Sequence, residues 1–232
     1  MITGIVSSII ASFIFAFAAW VGRGYYDKHR YSLFRFAKIF KVFHSGAQGY
    51  YDSFPDKENE KVWQFVHKKF YYLGVSANSI IDRLIKFMES NKGEKIEYHF
   101  LLMDPVHDDT IRRQEAHRKG YVENDLMDIS RKESLSKEVE IKKRQILTNV
   151  ERLKNTDNYK AGNVEIRYFQ EFLPWWVYMF DNTNIFVGLL PFKNTGEEPV
   201  MIIKKNEPYF TLYDVFLSIW ERIWRDNINN RA

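Results

Sequence analysis

The chain has 232 residues, 45% of them hydrophobic and 17% aromatic, a formal net charge of +4 and no cysteine. That apolar content is enough for one sizeable core, and the missing cysteines exclude disulfides and thiolate chemistry. The basic excess is concentrated near the N-terminus, so the domain itself is expected to make no direct DNA contact, and an anionic lipid surface is the partner the charge favours.

Residues 1–22, "MITGIVSSIIASFIFAFAAWVG", carry no charge before Arg23. About 20 apolar residues span a hydrocarbon core in helical form. No basic residue precedes the run, which favours an uncleaved transmembrane anchor over a signal peptide. Gly4, Ser8, Ser12 and Ala16 recur every fourth residue on one face of that helix and would let two such helices approach closely, so a homo-oligomer is expected. Arg23, Lys28, Arg30, Arg35, Lys38 and Lys41 then follow against Asp27 alone. Basic residues beside a span stay on the cytoplasmic side, so the expected protein is a single-pass inner-membrane protein with its N-terminus out and its C-terminal domain in the cytoplasm.

Residues 23–57 read as a basic juxtamembrane helix and linker. Within them Leu33, Phe36, Ala37, Phe40 and Phe43 fall at helical spacing, and the helix either lies at the lipid interface or packs on the domain. Residues 58–232 form the expected cytoplasmic domain. After a short helix around Glu58 to Lys68, "KFYYLGVSA" reads as a buried strand and "NSIIDRLIKFMES" as a helix with Asn78 or Ser79 as N-cap. "KIEYHFLLMDP" follows as a second buried strand. Strand, helix, strand with continuous apolar strands predicts an α/β fold with a mixed or parallel sheet and helices on both faces.

A charged stretch predicts a helix near Asp108 to Lys119 and a long one from Ser134 to about Lys154, with Leu135, Val139, Ile146, Val150 and Leu153 inward. The strands "NVEIRYF", "WVYMFDN", "TNIFVGLL" and "EPVMIIKKN" come next. The last helix is expected to bury Leu212, Val215, Phe216, Ile219 and Trp220.

From Lys69 to Asp226, and most closely in "YYLGVSANSIIDRLIKFM", "IEYHFLLMDP" and "MFDNTNIFVGLLPF", the chain resembles the phospholipase D superfamily. That family carries H-x-K-x-x-x-x-D on a hairpin, with a glycine seven residues later. Asp181 and Gly188 stand at the aspartate and glycine positions. Pro174 stands where the family has its nucleophilic histidine, Trp176 where it has its lysine, and Leu189 replaces the serine after the glycine. The resemblance implies the fold and, with the catalytic pair missing, a degenerate domain without the covalent hydrolase route.

No catalytic residue, metal site or cofactor is indicated. His99 lies in an apolar strand and reads as a core histidine, and no Walker, G-x-G-x-x-G, H-E-x-x-H or G-x-S-x-G motif is present. An enzyme is therefore doubtful. A ligand site at the strand ends would draw on Ser76, Asn78, Asp104, His107, Arg112 and Arg113, with Asp181 from the hairpin, and would suit an anion at the helix N-terminus. The competing account is plain helix capping by Asn78 and an Asp-Pro turn at Asp104.

Three readings follow. The leading one is a non-catalytic membrane sensor or effector, by analogy one of bacterial signalling or phage defence, whose domain binds a nucleotide second messenger or a partner protein. It would couple that event to assembly of membrane helices. A membrane-tethered phosphodiesterase or nuclease and a cyclic-oligonucleotide-gated, Rossmann-like membrane effector are the alternatives.

Overall fold

The structure is a computed structural model and describes residues 39–43, 63, 66–121, 128–181, 183–189, 200–205 and 211–232. The anchor expected over residues 1–22, with Gly4, Ser8, Ser12 and Ala16, lies outside the described residues. So do Arg23, Lys28, Arg30, Arg35 and Lys38 and most of the helix expected around Glu58 to Lys68, of which residues 63 and 66–68 are described. Among the described residues no helix is long and apolar enough to cross a membrane.

The fold is mixed α/β. Strands β1 (Ile39–Phe43), β2 (Lys69–Gly74), β3 (Glu97–Met103), β4 (Val164–Phe169), β5 (Trp175–Phe180), β6 (Asn184–Leu189) and β7 (Val200–Lys204) form one sheet in the order β1-β7-β6-β5-β2-β3-β4. β2, β3 and β4 are parallel, and β5, β6, β7 and β1 join in antiparallel pairs. The sheet is thus parallel at the β4 edge, where helical crossovers link the strands, and antiparallel where a short turn links β5 to β6. Ile39–Phe43, inside the segment expected to be an amphipathic helix and including Lys41, is strand β1 on β7. Backbone pairing along the free side of β7 is available to this aromatic and β-branched run only in the folded chain.

Among the described residues, helices α1 (Ile81–Ser90), α2 (Asp108–Lys119), α3 (Ile129–Lys154), α4 (Asp157–Lys160) and α5 (Leu212–Asp226) run between and after these strands. On one side of the sheet Phe70, Phe100, Tyr178 and Phe180 make a ring cluster that meets Trp63, which in turn stacks on Phe87 of α1 at 5.3 Å. On the other side α5 lays Trp220 against Tyr71 at 4.6 Å and Trp224 against His99 at 5.0 Å. Helices therefore cover both faces, as strands apolar on both sides require.

The inward stripe expected for α3 is buried as predicted at Leu135, Val139, Ile146, Val150 and Leu153. The helix begins earlier, at Ile129, because the Asp128 side chain accepts hydrogen bonds from the Ser130 and Arg131 amides as its N-cap. α1 departs from expectation in the opposite way. Its N-cap is Ile80 without a side-chain bond, and neither Asn78 nor Ser79 caps it. α5 starts on a capping box, Thr211 with Asp214. Its deeply buried residues are Tyr213, Trp220 and Ile223; Leu212, Phe216 and Ile219 are half-buried and pack against the core, so the buried face keeps the predicted Trp220 and extends to Tyr213 and Ile223. Only docking onto the sheet selects these added positions.

Candidate functional site

The hairpin β5–β6 carries the positions that the resemblance singles out. Trp176 lies opposite Gly188, and its indole covers the glycine so closely that a Cβ there would sit 2.0 Å from Cε2 and 2.1 Å from Cζ2. The ring continues into a file of aromatics: Trp176 to Tyr178 is 4.5 Å, and Tyr178 stacks on Tyr72 at 5.5 Å. The Tyr72 hydroxyl accepts the Ala77 N–H at 2.9 Å, and burial raises its pKa far above the ordinary range. Trp175 stands edge-on to Phe216 of α5 at 5.5 Å. Trp176 is buried and Trp175 half-buried, so among the described residues this end of the hairpin is filled by aromatic packing.

Asp181 sits at the other end. Its carboxylate accepts the backbone N–H groups of His67 and Lys68, each at 2.7 Å, and of Lys69 at 2.8 Å. The residue adopts a left-handed conformation, φ +48°, that Asp tolerates better than most side chains. Asp181 thus clamps the start of β2. The strand ends at Gly74, five residue steps or about 17 Å away at strand rise. Asp181 is therefore separated from the other candidates, and its inclusion in the strand-end site is corrected: antiparallel pairing places the end of β5 beside the beginning of β2.

At the strand ends, Ser76 is buried and its carbonyl accepts the Nδ2–H of Asn149, on α3, at 2.8 Å. Ala77 follows in the left-handed region, φ +56°, with its methyl buried. Asn78 is exposed. Asp104, only 5% exposed, is the centre of a polar knot. Its Oδ1 accepts the Val106 N–H at 2.9 Å, and its Oδ2 accepts Gln170 Nε2 and Asn230 Nδ2, each at 3.2 Å. His107 is half-exposed, with Nε2 at 3.9 Å from the same Oδ2.

The arginines do not converge on this knot. Arg113 directs its guanidinium to the Phe172 ring, 5.9 Å from the centroid, and Arg112 buries an Nε without a hydrogen-bond partner. The structure therefore brings Asp104 and His107 together, and neither arginine is a hydrogen-bond partner of Asp104. Gln170 and Asn230 were missed because they lie 66 and 126 residues from Asp104 and belong to no motif.

His99 packs among Tyr71, Trp220 and Trp224, and burial lowers its pKa against the opposing pull of Glu97. Its Nδ1 is buried without a hydrogen-bond partner, while Nε2 lies 3.5 Å from Glu97 Oε2, so the residue is a half-buried side chain packed under α5. Among the described residues no group of three or more His, Cys, Asp or Glu is placed to hold a metal ion.

No family profile and no curated protein matches the chain by sequence. Among solved structures it is similar to TrmBL2, an archaeal chromatin protein described as showing a novel mode of DNA binding. The identity is 13% and the TM-score 0.42, over 95% of this chain and 70% of that one. It is also similar to Nuc from Salmonella typhimurium, a phospholipase D family member. Here the identity is 10% and the TM-score 0.38, over 83% of this chain and 97% of that one. The second belongs to the family that the sequence resembles, and both likenesses concern the fold alone. The exclusion of direct DNA contact is corrected: a chain of similar fold is a DNA-binding chromatin protein, and a charge tally along the sequence does not register how a fold arranges its surface.

Proposed function

We propose that the protein is a non-catalytic, single-pass membrane protein whose cytoplasmic phospholipase-D-like domain binds a ligand or partner and couples that event to assembly of its membrane helices. The observation that carries this reading is the packing of Trp176 on Gly188. By the resemblance, a cation would work at that position and a nucleophile two residues before it, where Pro174 stands. An indole buried in an aromatic file supplies neither charge nor nucleophile, and Asp181 spends its carboxylate on three backbone amides. The polar knot at Asp104 supports binding over chemistry, since the carboxylate is engaged by neutral donors.

The test has two arms. Purified full chain is assayed with an aryl phosphodiester, DNA and phosphatidylcholine vesicles, and no turnover is expected; turnover abolished by His99→Ala or His107→Ala would overturn the non-catalytic reading. Full chain and a chain lacking residues 1–22 are expressed side by side. Membrane association and a change in membrane potential are expected only for the full chain, and equal behaviour would overturn the coupling.

A further inference from the structure

β4 is an edge strand of the sheet, and the residues after α5 turn back to pair with it. Tyr168 donates its N–H to the Asn230 carbonyl at 2.8 Å, Ala232 donates to the Ile166 carbonyl at 3.1 Å, and Arg231 faces Arg167 in an antiparallel bridge. A regular ladder would also bring the Asn230 N–H to the Tyr168 carbonyl. Here that N–H closes a turn on the Asn227 carbonyl instead, at 3.1 Å. The Asn230 side chain takes over: Nδ2 donates one hydrogen to the Tyr168 carbonyl at 3.1 Å and the other to Asp104 Oδ2 at 3.2 Å.

Parts of this segment face solvent. Ile228 is 52% exposed and the Arg231 side chain 64% exposed. Arg231 and Arg167 share one carboxylate, Glu165, to which Arg167 is already bound by two nitrogens. The Asn230 amide adds a side-chain tie to the two main-chain bonds, and it lands on Asp104, whose nearest cationic candidate, His107 Nε2, stays at 3.9 Å. Asp104 is buried, yet every group within hydrogen-bond distance of it is neutral. A buried carboxylate gains most from a charged donor.

We infer that the β4 edge and Asp104 together form an acceptor site for an extended basic peptide, and that Asn230–Ala232 is its resident, replaceable occupant. Once the resident segment has left, the incoming one pairs with the backbone groups of Ile166 and Tyr168 that it held, and places an arginine or lysine where Asn230 now reaches Asp104. This rests on the binding reading above and names its ligand class as a donor-bearing strand, in place of the anion expected from the sequence.

The experiment follows amide exchange at Tyr168 in the full chain. Because hydrogen bonds to a charged group are at stake, Asn230→Arg should slow that exchange by about tenfold and Asn230→Asp should speed it by about tenfold or more. An acetylated hexapeptide with the sequence of residues 227–232, but arginine at its fourth place, is then added to the Asn230→Asp chain. It should restore protection at Tyr168, whereas the same peptide with glutamate there should not. Unchanged exchange in both variants would overturn the latch, and equal action of the two peptides would overturn the basic ligand class. Should Asn230→Asp unfold the chain, Asn230→Arg still tests the opposite sign, and slower exchange at Tyr168 supports the site. Phosphodiester turnover or failure of the anchor comparison would not alter Tyr168 exchange, so the two proposals fail separately.

Discussion

Removing the Asp181 carboxylate should cost more than any other single change in the hairpin turn. Three backbone amides converge on it, at 2.7, 2.7 and 2.8 Å. The His67 and Lys68 bonds are exposed, so water replaces them in part; the Lys69 bond is partly buried. Counting about 1 kcal/mol for each of the first two and about 2 kcal/mol for the third gives a loss of about 4 kcal/mol. Alanine at φ +48° adds about 1 kcal/mol of backbone strain, so Asp181→Ala should destabilise the domain by roughly 4–5 kcal/mol. Asp181→Asn keeps one acceptor and tolerates the left-handed conformation, so it should cost roughly 2 kcal/mol. The assay is urea unfolding followed by tryptophan fluorescence. With an m-value of about 2.5 kcal/mol/M, the Asp181→Ala midpoint should fall by about 1.5–2 M. Amide exchange at His67, Lys68 and Lys69 should quicken first. A midpoint shift below about 0.4 M, which at that slope is about 1 kcal/mol, would refute the clamp.

Three further outcomes are expected. Gly188→Ala should destabilise by about 2–3 kcal/mol through overpacking on the Trp176 indole, and combining it with Trp176→Leu should recover part of that loss, as a double-mutant cycle by denaturation would show. His99 has its folded-state pKa lowered by burial, so it is neutral in the fold and protonates more readily when unfolded. Its stability contribution is complete above the unfolded value of about 6.5 and is lost as pH falls below it, and His99→Phe should flatten the dependence of the thermal midpoint between about pH 5 and 7. Asn149→Ala should cost about 1–3 kcal/mol by stranding the buried Ser76 carbonyl, measured by urea unfolding.

Much of the architecture was legible because it depends on local pattern. The aromatic runs of β2 and β3 and the stripe from Leu135 to Leu153 each announce a buried surface through spacing alone, and these residues are buried in the fold. The turn at Asp181 was legible in the same way. Its role was not, because its partners are backbone amides of residues 112 to 114 positions away, which leave no trace in side-chain identity. The face of α5 was legible in part: Trp220, in the predicted stripe, meets Tyr71, whereas the periodicity of 3.6 did not single out Tyr213, Ile223 or Trp224, which also face the sheet or the core.

The candidate site divides along the same line. Asp104 and His107 were singled out because a strand ending in Asp-Pro marks the place where an α/β sheet offers its loops. Gln170 and Asn230 were invisible, since each reaches Asp104 only when β3, β4 and the segment after α5 are side by side. The sequence by itself determined the strands and longer helices from β2 onward, though not strand β1; it also determined where the acidic strand end lies, and that proline and tryptophan stand where the resembling family keeps histidine and lysine. Tertiary structure alone decided that Trp176 covers Gly188, that Asp181 belongs to the opposite end of the sheet from Asp104, and that Asn230 closes the β4 edge. Those are contacts between groups far apart in the chain, set by strand order and direction, which local periodicity does not encode.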